Sequence, residues 1–131
     1  MAVVELLLFF PVLVLFIELI VLGGRVGVAR GDVASAAREA ARQATLANSR
    51  AGAAEVIAPV ALRALADRGY ACEAPSATLG PKTRFEAGGV LEVVVSCRLN
   101  LSDLDLLSLA PGGTLVEHSV LEPIDRYRTV Q

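Results

Sequence analysis

The sequence has few of the side chains on which most active sites and metal sites depend. It contains one histidine, His118, and no tryptophan. A lone histidine cannot build a histidine-based metal site, and the chain has no phosphate-binding loop, no G-x-S-x-G motif and no Cys/His cluster. Asp103 and Asp105 alternate with leucines and are predicted to face solvent, with a cation site as the open alternative. We therefore expect no catalysis, no cofactor and no metal, and we interpret His118 as structural.

The chain also lacks an excess of charge of either sign, because the formal net charge is only −2. So small a value argues against a general nucleic-acid binder, and we expect no nucleic-acid partner. All the basic side chains except Lys82 are arginines, and alanine is abundant. This bias is typical of a GC-rich genome and indicates a bacterial protein.

Cysteine is limited to Cys72 and Cys97, which lie 25 residues apart. The segment that contains them, residues 51–131, is near the lower size limit for a domain that folds without a covalent cross-link. We therefore predict one disulfide and an oxidising compartment. Two buried free thiols in a cytosolic protein are the open alternative.

The first 24 residues form an apolar run that is long enough to cross a membrane as a helix. A signal peptide is disfavoured, because the run is too long and lacks a basic start and an A-x-A site. The flanking Arg25 and Arg30 would place the following domain in the cytoplasm, whereas the cysteines predict export. The flanking arginines and the cysteines agree if a basic leader precedes Met1 and is removed. Met1 would then be a processed N-terminus.

Two carboxylates interrupt this run. Glu5, near its edge, needs a partner if it is not simply in the headgroup region. Glu18 lies almost opposite Glu5 around the helix and seven residues before Arg25, so we favour an intersubunit or helix-bundle role for it. The alternative is a carboxyl group that stays protonated in the membrane. Pro11 removes a backbone donor and is predicted to kink the helix.

Small residues recur every four positions after the apolar run, at Gly23, Gly27, Gly31 and Ser35. Such a stripe lets another helix approach closely, and a flexible joint is the alternative. The alanines that follow favour helix. We therefore predict one long helix over residues 1–50, with a membrane or filament core at 1–24 and an amphipathic Ala/Gly-rich extension at 25–50.

Residues 51–131 have the pattern of a small α+β head. A second helix is predicted over 53–68, with Gly69 as its stop. Alternation of apolar residues predicts strands at 77–79, 90–99 and 115–121, and places Cys97 on the core face. Residues 102–110 are predicted as a loop with a helical turn. The fold class is thus α+β, with a long N-terminal helix, a second helix and a small antiparallel sheet carrying one disulfide.

Taken together, these features resemble the TadE-like proteins, the pilin-like minor components of tight-adherence pilus systems. The resemblance is carried by Glu5 with the apolar run and Pro11, by Gly24-Arg25, and by the Ala36–Arg42 segment. In the head, the cysteines and the ending Pro123–Arg128 also look like compact members of the family. The acidic residue expected just before Gly-Arg stands about a turn early, at Glu18, and Leu6 replaces the usual aromatic.

The resemblance implies a function in assembly. In the related type IV pilins a prepilin peptidase cleaves before residue 1, and Glu5 is thought to meet the N-terminal amine of a neighbouring subunit. The implied partners are that peptidase, an inner-membrane assembly platform, membrane lipid before assembly, and other pilin subunits. We expect a structural pilus subunit, first in the bacterial inner membrane with its head exported and then at the cell surface. The alternative is an anchored accessory protein, a minor pseudopilin, that does not form the shaft.

Overall fold

The computed structural model of the protein describes residues 2–69, 72–100 and 113–130. Two helices are followed by three strands: α1 (Ala2–Thr45), α2 (Arg50–Asp67), β1 (Cys72–Leu79), β2 (Val90–Leu99) and β3 (Thr114–Pro123). Within the described residues the strands form one antiparallel sheet in the order β1-β2-β3. The predicted α+β fold, with its long first helix, second helix and small antiparallel sheet, is confirmed.

Helix α1 has 44 residues and is therefore about 66 Å long at 1.5 Å per residue. It continues through Pro11, whose ring removes the hydrogen bond that the Leu7 carbonyl would otherwise accept. It also continues through the glycine-rich stretch 23–31, which is helical. A single continuous helix thus connects the apolar N-terminal segment to the head.

Helix α2 begins three residues earlier than predicted because Ser49 caps it. The Ser49 side-chain oxygen accepts a hydrogen bond of 3.1 Å from the Gly52 backbone N–H, which satisfies one of the free donors of the first turn. Gly52 therefore lies inside the first turn of α2. At the other end Gly69 has a φ of +73°, the left-handed geometry in which helices commonly stop.

The core of the head lies between the two helices and one face of the sheet. Helix α1 packs over β2 and β3, and α2 packs beside it over β1. Side chains with almost no solvent exposure are Ala36, Ala37, Ala40, Ala41 and Ala44 of α1, Ala53, Ile57 and Ala61 of α2, and Leu91, Val93, Val95 and Cys97 of β2. Alanine on α1 lets the helix backbone approach the strands closely. Helix α1 shares the core of the head from Ala29 onward, and the predicted division of the chain at residue 50 stays a prediction.

The strands differ in how well their sequences predict them. Strand β2 has the predicted bounds, and its alternate apolar residues are buried. On its other face Arg98 is exposed, but Glu92 is only 4% exposed because residues 80–83 cover it. Strand β3 extends slightly beyond the predicted 115–121. The predicted loop at 102–110, with Asp103 and Asp105, lies outside the described residues.

Strand β1 begins five residues before the predicted 77–79 segment. Its pairing with β2 shifts between Glu73 and Ser76, and Ala74 between them has a φ of +47°. Such a bulge leaves residues without a ladder partner and interrupts the alternation on which strand prediction depends. Pro75 further conceals the strand, because proline normally argues against one.

Candidate assembly site

The N-terminal half of α1 presents large apolar side chains on all sides, and only near its end does Leu22 pack against the core of the head. Its most apolar 18-residue window has a mean hydropathy of 2.8, and none of that window is buried. Leu6, Phe10 and Ile20 are each about two-thirds exposed or more. By length and composition the helix is suited to crossing a membrane. A surface of this kind requires lipid or other helices around it.

Two acidic side chains lie within this apolar half. Glu5 is in the first turn of α1 and is exposed, a position in which a carboxylate also favours the positive end of the helix dipole. Met1 lies outside the described residues, so its predicted role as a processed end stays a prediction. Glu18 is half-exposed, and its neighbours one turn away, Val14 and Leu22, are apolar.

The predicted small-residue stripe lies on the outside of α1. A Cβ atom added to Gly23, Gly27 or Gly31 would meet nothing within 4 Å. Ser35 donates a hydrogen bond of 3.0 Å from its hydroxyl to the Gly31 carbonyl, which keeps its side chain against its own helix. The stripe is therefore smooth and helical. Its predicted packing against another helix is not tested by a single chain.

Near the base of the head, α1 is tied to the end of α2 by an ion pair. The Arg68 guanidinium lies 3.6 Å from an Asp32 carboxylate oxygen and donates a hydrogen bond of 3.1 Å to the Asp32 carbonyl. The two side chains are 35% and 26% exposed, so water screens their attraction. Asp32 stands two turns of α1 beyond Arg25, which is exposed.

The predicted disulfide is confirmed. Cys72 at the start of β1 is bonded to Cys97 in the core of β2, with a Cα–Cα distance of 5.3 Å. The bond closes a loop of 25 residues, for which the chain-entropy model gives about 3–4 kcal/mol of stabilisation. It secures β1 on the side of its bulge where backbone pairing is irregular.

Sequence reasoning missed the role of the C-terminal segment. The Arg128 guanidinium donates hydrogen bonds to the carbonyls of Thr45 and Leu46 and, at 3.3 Å, to the Asn48 side-chain oxygen. These carbonyls lie at the C-terminal end of α1, where the helix has no further N–H donors and its dipole is negative. Ile124 fixes the approach of the segment, since it is 3% exposed and its N–H bonds the Gly89 carbonyl.

Glu92 was also not recognised as a structural residue. Its carboxylate accepts a hydrogen bond of 2.9 Å from the Lys82 N–H, and the Thr83 hydroxyl bonds the Glu92 backbone. A Cβ atom at Gly80 would lie 2.2 Å from the Glu92 carboxylate, so only glycine fits there. The buried carboxylate thus holds the turn between β1 and β2 against the outer face of the sheet.

No catalytic arrangement is formed by these residues. His118 is half-buried in β3 opposite Val95. Among the described residues, no group of three or more His, Cys, Asp or Glu side chains is placed to hold a metal ion. The unusual chemistry of the molecule is therefore concentrated in the exposed half of α1, where charge and small residues interrupt an apolar surface.

Comparison with known proteins bears on that half. Residues 1–42 match the model of the family described as TadE-like protein. Neither the curated proteins nor the solved structures give a significant match to the chain. The resemblance drawn from Glu5, Pro11 and the Gly24-Arg25 pair is confirmed over the matched residues, while that of the head stays a prediction. The match covers nearly the whole of α1, so this helix is similar to that of the TadE-like, pilus-associated proteins.

Proposed function

We propose that this protein is a pilin-like structural subunit, held in the bacterial inner membrane by α1 and assembled into a pilus-like fibre through that helix. The observation that carries the proposal is the continuity of α1. One continuous helix has an unburied apolar half in the part of the chain that matches a pilus-associated family, and its other half is built into a disulfide-bonded head. Such a subunit can exchange lipid for neighbouring helices without refolding.

Glu5 is the residue to which we assign the assembly contact. A carboxylate that leaves water at the start of an apolar helix requires a cationic partner, and the N-terminal amine of a neighbouring subunit would neutralise it. This assignment requires cleavage by a prepilin peptidase before Met1, which produces that amine. The assembly platform in the inner membrane would then lift the subunit into the fibre.

Two measurements test the proposal. Mass spectrometry of the N-terminus should find a free or methylated Met1 and a removed leader, and an uncleaved cytoplasmic start would contradict processing. Sheared surface fibres should contain the chain. An E5A variant should be processed and should fold but be strongly depleted from fibres, whereas E55A, which removes an exposed carboxylate from α2, should assemble normally.

An anchored accessory protein is the second candidate, because the resemblance is to minor components of such pili. Antibody labelling of fibres distinguishes it from a shaft subunit. Labelling along the whole length supports the shaft, and labelling only at an end or only at the cell envelope supports the accessory role.

A further inference from the structure

The two edges of the sheet differ in how well they are protected from further pairing. Strand β2 is central, so β1 and β3 each have one edge that pairs with no strand among the described residues. On β1 a bulge, Pro75 and the positive φ of Ala74 interrupt the backbone, and such features block the pairing of an edge strand. All ten residues of β3 pair with β2 in unbroken register. The free edge of β3 is therefore a regular template for another strand.

The sequence of β3 is symmetric in character about His118. Leu115 and Leu121 lie three residues before and after it, and Val116 and Val120 lie two residues before and after it. The leucines are 58% and 52% exposed on the outer face of the sheet, whereas the valines pack toward the core. The strand thus presents nearly the same apolar pattern in both directions, which is what pairing with an antiparallel copy of itself requires.

One register of such a pair satisfies the whole pattern. With His118 opposite His118 of the copy, leucine faces leucine on the outer face and valine faces valine on the inner face. Each Glu117 then faces Ser119, so no like charges are opposed. Centring the pair on Glu117 would oppose two carboxylates, and centring it on Ser119 would place each Glu117 opposite Leu121.

We propose that the free edge of β3 pairs antiparallel with β3 of a second copy, with His118 on the two-fold axis, so that the two sheets become continuous. The contact is isologous, because each copy contributes the same strand. Directly opposed side chains in such a pair lie about 4.5–5.5 Å apart at their Cβ atoms, and apolar pairs at this distance stabilise a sheet. The exposed leucines would thus be covered by those of the second copy.

The symmetry of this pairing determines which copies it can join. The two-fold axis is perpendicular to the sheet and reverses every direction within the sheet plane. Helix α1 packs over β2 and β3, so the two α1 helices point in opposite directions. Copies that share one direction and one outward sheet face would have to place β3 beside the interrupted edge of β1. The pairing therefore links oppositely directed copies, such as those of two fibres lying antiparallel, and not neighbours in one membrane.

Cysteine crosslinking of the full-length protein in detergent tests the register, since copies there are free to meet in either direction. In H118C the two new thiols face each other at the axis, within the distance that a disulfide spans. In the control S119C they lie about 7–8 Å apart on the diagonal, beyond that distance, although Ser119 is more exposed than His118. H118C should therefore form at least about ten-fold more linked dimer than S119C. The native cysteines are already bonded to each other.

A pair of charge variants provides the second readout. L115K/L121K opposes lysine to lysine at two places across the pair, whereas L115E/L121K opposes glutamate to lysine at the same two places. In the H118C background the first should lower the linked dimer at least about ten-fold, and the second should keep it within about two-fold. T78E, on the exposed outer face of β1, is the matched control and should also stay within about two-fold. An intact Cys72–Cys97 bond in each variant verifies that the head has folded.

The outcomes separate the strand pairing from the proposed function, because the pairing does not require that the chain forms fibres. A dominant S119C link, a link that survives L115K/L121K, or equal loss in both charge variants overturns the register. An equally strong H118C link in native membranes, where all copies point the same way, overturns the antiparallel geometry. Chains that enter fibres but give no H118C link overturn the pairing and leave the proposed function standing. An H118C link from chains that never enter fibres supports the pairing and overturns the fibre function.

Discussion

The two halves of α1 belong to one continuous helix, yet they use side-chain size in opposite ways. In the first half large residues such as Leu6 are exposed, at 73%, whereas in the second half Ala40 has no exposure at all. Helix α1 therefore contributes mainly alanine to the core of the head, which brings its backbone close to the sheet. The comparison teaches that apolar character alone does not mark a core, because on this helix most of the large apolar side chains face outward.

Removal of the disulfide is expected to have the largest effect on stability, and this effect should be confined to the head. C72A/C97A should lower the free energy of unfolding by about 3–4 kcal/mol, because the unfolded chain regains the entropy of the closed loop. Urea titration of the full chain in detergent, followed by pulse proteolysis, measures it. The exposed half of α1 should stay helical by circular dichroism. Loss of helix throughout would show that the two halves do not unfold separately.

A matched pair of substitutions to leucine compares the halves directly. A40L should destabilise the head by about 1–3 kcal/mol, because the residue is fully buried and the site has no space for a larger side chain. G27L should leave stability within about 0.5 kcal/mol, because a side chain there meets nothing within 4 Å. The same urea titration measures both. Equal destabilisation would mean that Gly27 is packed within the single chain.

The next prediction tests whether Arg128 stabilises the C-terminal end of α1. R128A should cost about 1–2 kcal/mol, because it removes charge-assisted hydrogen bonds from carbonyls at a helix C-terminus. R126A is the control, since Arg126 is an exposed arginine in the same segment. Urea titration compares them, and hydrogen exchange near Thr45 should rise only in R128A. Equal effects of the two variants would contradict the capping role.

The smallest effect is expected at the Asp32–Arg68 pair. R68A should change the free energy of unfolding by less than about 1 kcal/mol, because both side chains are partly exposed and screened. R63A on the exposed side of α2 provides the baseline in the same titration. A loss well above 1 kcal/mol, relative to that baseline, would show that the base of the head is more tightly coupled to α1 than this pair accounts for.

Much of the fold could be predicted because the decisive signals are local. The long helix follows from composition, β2 from its alternation, and the disulfide from the presence of only two cysteines. The start of β1 could not be predicted, since a bulge and Pro75 interrupt the alternation. The burial of Glu92 could not be predicted either, because it depends on the turn that covers its side chain.

The residues of the candidate site also differ in whether they could be predicted from the sequence. Glu5, Glu18 and Arg25 are recognisable in the sequence because charge is rare in an apolar run. The partners that we propose for Glu5 and Glu18 lie in other chains, so a single chain cannot show those contacts. Arg128 could not be found from sequence, because its acceptors are more than eighty residues away and arginine near a terminus is ordinary.

The contact between Arg128 and the end of α1 can form only after nearly the whole chain has been synthesised. The carbonyls of Thr45 and Leu46 are synthesised more than eighty residues before the guanidinium that caps them. Any nascent chain stopped before Arg128 leaves the last turn of α1 without this cap, even if the sheet has formed. Complete capping of α1 therefore depends on some of the last residues of the chain to be synthesised.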